Sequence, residues 1–170
     1  MFGAATIVAL GDSITDGNGS TTDTYSRWPD LLAKRLADAN IKMGVVNVGI
    51  GGNRVIGNND NSASNRFDRD VLAQTGVAYV VFTEGINDLR NEGAPPAEEL
   101  IMGHKQIIER AHAQGLTIFG GTILPIERDD EGGNGFNPTS EATRQALNQW
   151  IRTSGAYDGV IDFESVIKDP

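Results

Sequence analysis

Thr6-Ile7-Val8-Ala9-Leu10-Gly11-Asp12-Ser13-Ile14-Thr15 is the stretch whose reading decides the fold. Five apolar or β-branched residues run straight into Gly-Asp-Ser, a turn signal, and helix signals follow. A buried strand therefore ends at an exposed serine. In an open α/β sheet, the carboxyl end of a central strand is where ligands bind and chemistry is placed. A strand-to-helix turn is also a place where α/β folds expose a reactive side chain.

Outward from this segment, apolar β-branched runs alternate with helical periodicity, the pattern of a parallel sheet covered on both faces. Strands are expected at Thr6–Leu10, Gly44–Val48, Ala78–Thr83, Thr117–Gly121 and Val160–Phe163. The unbroken run Val77-Ala78-Tyr79-Val80-Val81-Phe82 fits a strand buried on both faces. Trp28, Leu31, Leu32 and Leu36 recur at helical spacing, with Pro29 suited to a first turn. Leu100, Ile101, His104, Ile107, Ile108 and Ala111 form a second stripe, stopped by Gly115. Ala142, Ala146, Leu147, Trp150 and Ile151 form a third, and a shorter helix is expected over Arg66–Gln74. Two long loops rich in Gly, Asn and Asp, Gly49–Asn65 and Thr122–Pro138, separate these elements. Right-handed crossovers then predict one three-layer α/β/α domain of flavodoxin-like type over residues 1–170, with a five-stranded parallel sheet.

The 170 residues suffice for a core without staples, and the absence of cysteine excludes disulfides, thiolate metal sites and a cysteine nucleophile. A formal net charge of -9 argues against nucleic-acid partners and anionic membrane surfaces, and favours a soluble protein. No stretch is long enough to span a bilayer, and the apolar N-terminus lacks the basic region of a signal peptide. The compartment stays open between cytoplasm and export after removal of a leader outside this numbering. The oligomeric state is equally open.

Three segments follow the first three strands: Gly11-Asp12-Ser13, Asn47-Val48-Gly49-Ile50-Gly51-Gly52-Asn53 and Gly85-Ile86-Asn87-Asp88. In a parallel sheet all three open at one edge, bringing together a hydroxyl, a glycine turn and a side-chain amide. Acyl transfer needs that set: a nucleophile and donors aimed at a developing oxyanion. The Ser13 N–H, the Gly52 N–H and the Asn87 amide are the candidate donors, with Gly51 and Asn53 as register alternatives to Gly52. Each residue also has a plainer reading. Ser13 could be a helix N-cap, Gly52 a positive-φ turn residue and Asn87 an Asx-turn residue. Asp12 is expected to bond backbone around the turn, and Asp88 to be structural. His104, on an apolar stripe, and His112, near a helix end, are expected to be structural too. Asp129-Asp130-Glu131 lacks calcium-loop spacing and reads as a solvated loop. Asn58-Asn59-Asp60-Asn61 fits either a sugar-contacting rim or plain surface.

These three blocks resemble those of the GDSL, or SGNH, hydrolase family, and the similarity extends to the closing Val160-Ile161-Asp162-Phe163. The resemblance implies a serine esterase with Ser13 as nucleophile, an oxyanion hole completed by Gly52 and Asn87, and no metal or organic cofactor. It is closest to bacterial members acting on small esters or carbohydrate O-acetyl groups, so an acetyl ester, small or on a carbohydrate, is the expected substrate. The family also carries an Asp-x-x-His block beyond the last strand. This sequence reaches Lys168-Asp169-Pro170 without one, so the Asp–His pair is expected from a C-terminal segment outside these residues. The rival readings are a non-catalytic carbohydrate- or ester-binding module that keeps the crevice, and a phosphate binder using Gly49–Gly52 as an anion nest. No P-loop lysine or G-x-G-x-x-G pattern supports the latter.

Overall fold

The computed structural model describes residues 5–57, 61–90, 94–126 and 137–167. Five strands, β1 (Ala5–Gly11), β2 (Met43–Asn47), β3 (Val77–Thr83), β4 (Thr117–Gly121) and β5 (Gly159–Ile161), form one sheet in the order β2-β1-β3-β4-β5. Every pairing is parallel. β1 is an interior strand, paired on both sides and apolar on both faces: Val8, Ala9 and Leu10 are fully buried. The helices α1 (Ser13–Asp16), α2 (Trp28–Asp38), α3 (Ala63–Phe67), α4 (Ala97–Ala113), α5 (Pro138–Thr153) and α6 (Phe163–Ile167) complete the α/β architecture. Each crossover returns the chain to the same edge, so the carboxyl ends of β1, β2 and β3 lie side by side.

Val8, Leu10, Val80, Phe82 and Ile118 from the sheet pack with Leu100, Ile107, Leu147 and Ile151 from α4 and α5 in one core. α4 ends before Gly115, and the Gly115 and Leu116 N–H groups return to the carbonyls of His112 and Ala111, satisfying the last turn.

Four expectations need correcting. The helix expected over Arg66–Gln74 begins at Ala63 and passes into a wider π-turn over Asp68–Leu72, closed by the Ala73 N–H on the Asp68 carbonyl at 3.0 Å. The last strand stops at Ile161, because Asp162 accepts from the Ser165 N–H (3.3 Å) and the Thr122 hydroxyl (3.1 Å), turning the chain into α6 with Phe163 on it. In α5, Ala142 and Ala146 are exposed, and the buried face is Ser140, Thr143, Arg144, Leu147, Asn148 and Ile151. In α2, Leu31 is exposed while Pro29 is buried. Residues 58–60 and the cluster Asp129-Asp130-Glu131 lie outside the described residues. No helix among the described residues is long and apolar enough to cross a membrane.

Candidate active site

Ser13 occupies the first position of α1, directly beyond β1, and is partly exposed. It is not the cap of that helix. Asp12 is: its Oδ1 accepts the Ile14 N–H at 2.8 Å, as expected for a residue bonding backbone around the turn. The Ser13 N–H, in a first turn, has no intrahelical acceptor. The Thr15 hydroxyl meets the Thr83 hydroxyl at 2.8 Å and accepts the Trp28 indole N–H at 3.3 Å, tying α1 to the end of β3 and to α2.

The second block leaves β2 against this turn. Asn47 Nδ2 donates to the Thr15 carbonyl at 2.7 Å, and Asn47 Oδ1 accepts the Gly49 N–H at 2.9 Å. Gly49 must be glycine, because a Cβ there would lie 2.3 Å from the Asp16 nitrogen. The Ile50 N–H returns to the Gly11 carbonyl at 3.0 Å, continuing the β1–β2 pairing past its last strand residues. A turn then closes with the Asn53 N–H on the Ile50 carbonyl at 3.1 Å, with Gly52 inside it at φ +73°. That bond engages the Asn53 N–H, whereas Gly52 is exposed, with open space where a side chain would stand.

The third block follows β3. Asn87 is buried, and its Nδ2 donates to the Asn53 carbonyl at 2.8 Å. Asp88 is structural: its carboxylate accepts the Val55 N–H at 2.9 Å and the Ile56 N–H at 3.3 Å. Hydrogen bonds thus tie the three blocks in chain order, Gly11 to Ile50 and Asn53 to Asn87.

Two residues without a role in the sequence reading sit beneath these loops. Arg66 is fully buried on α3, and Glu84, also fully buried, ends 3.8 Å from it. The Arg66 guanidinium donates to the Val48 carbonyl at 2.6 Å, the Gly11 carbonyl at 3.0 Å, Asn53 Oδ1 at 3.4 Å and Asp70 at 3.2 Å. An arginine at the head of a polar stretch, Arg66-Phe67-Asp68-Arg69-Asp70, gives no sign of burial in sequence. A glutamate closing the apolar run Val80-Val81-Phe82-Thr83 was the one available signal.

Burial raises the carboxyls of the site. Asp12 and Asp88 are each pushed up to about 6, chiefly by desolvation and against the hydrogen bonds they accept. Glu84 is pushed well above the ordinary range by burial, reinforced by Asp12 and opposed by Arg66. The folded state therefore holds the Asp12 proton more tightly than the unfolded chain. This contribution is present in full below about pH 4 and is lost as pH rises through 6, amounting to about 3 kcal/mol at most. Asp12→Asn keeps the acceptor for Ile14 and removes the titration. Its melting temperature relative to the parent is expected to be several degrees more favourable at pH 8 than at pH 4. An equal offset at both pH values would contradict this assignment.

Neither histidine is placed to serve Ser13. His104 is wholly buried between the Phe82, Trp150 and Tyr157 rings, with Nδ1 2.5 Å from the Tyr157 hydroxyl, and burial drives its pKa down to about 3. His112 lies in the last turn of α4, 3.0 Å from Asp158, whose carboxylate also accepts the Ile118 N–H at the start of β4. That is the opposite edge of the sheet. Among the described residues no group of three or more His, Asp or Glu could hold a metal ion.

A cavity of about 490 Å³ is bordered by Asp12 and Ile14, the chain neighbours of Ser13, and by Trp28, Ile123, Leu124 and Phe163; Ser13, Gly52 and Asn87 are not in its lining. Its accessible surface is mostly apolar, although Asp12, Thr83, Glu84, Thr122 and Asp162 also line it. The Trp28 and Phe163 rings lie 6.4 Å apart across α2 and α6.

Residues 9–170 match the GDSL-like Lipase/Acylhydrolase family. The chain belongs to that family of carboxylic ester hydrolases. The fold agrees with solved structures at low identity. AlinE4, an SGNH-hydrolase family esterase, superposes with a TM-score of 0.75 at 18% identity, over 99% of this chain and 82% of that one. The psychrotrophic esterase EstA from Pseudoalteromonas sp. gives 0.69 at 18%, over 93% and 76%. TesA gives 0.69 at 23%, over 91% and 76%. No protein of curated function matches the sequence. The GDSL/SGNH assignment and the five-stranded α/β fold stand as the sequence led one to expect.

Proposed function

We propose that this family member is a serine esterase: a general base, expected from the family's Asp-x-x-His block, takes the Ser13 proton as Oγ attacks the ester carbonyl, the alcohol leaves with that proton, and water hydrolyses the acyl-enzyme. The tetrahedral oxyanion is held by the Ser13 and Gly52 N–H groups and by the Asn87 amide. The observation that supports this reading is the hydrogen-bonded chain from Gly11 through Ile50 and Asn53 to Asn87, which ties the three loops that carry these donors to one another. The Asn87 amide spends one hydrogen on the Asn53 carbonyl, and its second is left to donate. The Asn53 N–H, engaged in the turn, is the weaker alternative to Gly52. The alcohol side is a small leaving group or a carbohydrate, and the acyl group is acetyl. No metal, organic cofactor, nucleic acid or membrane has a part in this chemistry.

A second reading of the acyl group has its own support. The cavity bordered by Asp12 and Ile14, the neighbours of Ser13, has room for far more than an acetyl methyl, and its mostly apolar surface rewards apolar contact. Each methylene buried there contributes about 0.8 kcal/mol, roughly fourfold in kcat/KM. Hydrolysis of p-nitrophenyl esters from acetate to decanoate decides between them. The acetyl reading expects kcat/KM to be highest at acetate. A rise of severalfold per methylene towards octanoate moves the assignment to the longer acyl group. No turnover of any ester, together with binding of an acetylated sugar, would favour the binding module.

A further inference from the structure

Arg66 has no part in the proposed chemistry, yet no other described side chain reaches so much of the site. We propose that Arg66 is the positioning residue of the ester-hydrolysing site, holding the Ser13 turn and the Gly52 turn in register from beneath. The inference rests on the esterase reading above.

The β1–β2 pairing ends near the site. Past it, the Gly11 carbonyl has two donors, the Ile50 N–H and Arg66 Nη2 at 3.0 Å, while Arg66 Nη1 takes the Val48 carbonyl at 2.6 Å. A planar fork of donors suits this task, because it spans carbonyls on two diverging segments at once. A lysine offers one ammonium centre and reaches one of them well. Gly11 lies two residues before Ser13. Nη2 also contacts Asn53 Oδ1 at 3.4 Å, and the carbonyl of the same asparagine takes the Asn87 amide. One guanidinium therefore touches the nucleophile's turn directly and both oxyanion loops through Asn53. Asp70 pairs with the charge at 3.2 Å, and the buried Glu84 carboxyl lies 3.8 Å away. The π-turn after α3 sits directly beyond Arg66, and such turns are frequent at functional sites.

Placement of this kind acts on rate more than on binding, since a shift of about 1 Å in the reacting geometry can cost about 100-fold. The test compares Arg66→Lys with Arg144→Lys. Arg144 is an equally buried arginine bonded to a carbonyl and two carboxylates, but it joins α5 to α6 and β4. Two readouts are taken: kcat and KM on p-nitrophenyl acetate, and amide hydrogen exchange across residues 47–57. Arg66→Lys is expected to lower kcat about 10- to 100-fold, with KM within about threefold, and to speed exchange in 47–57. Arg144→Lys is expected to lower the melting temperature while leaving kcat and that exchange at parental values. Unchanged kcat in Arg66→Lys, or an equal fall in Arg144→Lys, overturns the proposal. Should Arg66→Lys not fold, Asp70→Asn loosens the same guanidinium from its outer side; a severalfold fall in kcat supports the proposal and an unchanged kcat overturns it. Should the parent itself show no turnover, the esterase reading falls alone. Exchange then decides for Arg66: faster exchange across 47–57 upholds its hold on the loops, and unchanged exchange overturns it.

Discussion

Ser13→Ala is expected to lower kcat for p-nitrophenyl acetate by at least about 10³-fold, the scale on which serine hydrolases respond to loss of their nucleophile. Stability should stay within about 0.5 kcal/mol of the parent. The second half of the expectation makes the first informative. Had Ser13 capped α1, removing its hydroxyl would cost about 1 kcal/mol and disturb the turn. The cap is Asp12, whose carboxylate holds the Ile14 N–H, and the Thr15–Thr83 hydroxyl contact anchors the same turn from below. Alanine at 13 thus leaves the backbone, the cavity and both backbone oxyanion donors where they were. KM should change little, and an alkylphosphonate should label the parent but not the variant. A variant that hydrolyses acetate at the parental rate would place the nucleophile elsewhere. A variant that loses both rate and melting temperature would return Ser13 to a structural role.

The parts of this site that were legible in the sequence are those fixed by local rules. Gly11-Asp12-Ser13 follows an apolar run, Gly49 and Gly52 stand where close approach and positive φ require glycine, and Asn87 follows a strand. Strand positions came from apolar runs alone, and four of the five expected strands agree to within one residue at either end. What escaped was tertiary. Arg66 and Arg144 look like solvated helix residues, because nothing near them in sequence shows that carbonyls from distant segments converge on them. Gly11 lies 55 residues from Arg66, and Ile123 lies 21 from Arg144. The stripe expected on α5 failed for the same reason. Alanine at 142 and 146 mimics an apolar face, whereas burial on this helix follows the acceptors that Arg144 and Asn148 reach. The expected strand Val160–Phe163 ran too long because one of the two hydrogen bonds that turn Asp162 out of the sheet comes from Thr122, 40 residues away.

Arg144→Met is expected to destabilise the protein by about 3–5 kcal/mol, the scale for removing one partner of a buried ion pair. Against a total of about 5–15 kcal/mol this is a large fraction. At about 2–4 °C per kcal/mol it should lower the melting temperature by roughly 6–20 °C. Arg144 is 3% exposed, and it donates to the Ile123 carbonyl at 3.0 Å, Glu164 at 2.7 Å and both oxygens of Glu141 at 2.6 and 2.7 Å. Methionine fills much of the volume but satisfies none of these acceptors. Asn148 still brackets Ile123, accepting its N–H and donating to its carbonyl at 2.8 Å each, so the β4 end stays anchored. The loss therefore falls on Glu141, whose carboxyl Arg144 holds below the ordinary value, and on Glu164, which keeps Arg152. Burial raises the Glu164 carboxyl, but Arg152 and Arg144 outweigh burial and hold it below the ordinary value. A depressed carboxyl contributes stability above its unfolded pKa and loses it as pH falls through the folded one. The deficit of Arg144→Met relative to the parent should accordingly be largest at pH 6–8 and shrink below about pH 4 as Glu164 takes up its proton. Loss of packing alone would give a deficit independent of pH. Melting curves of both proteins at pH 3.5 and pH 7 separate the two causes, and a constant difference would assign Arg144 to packing rather than to charge.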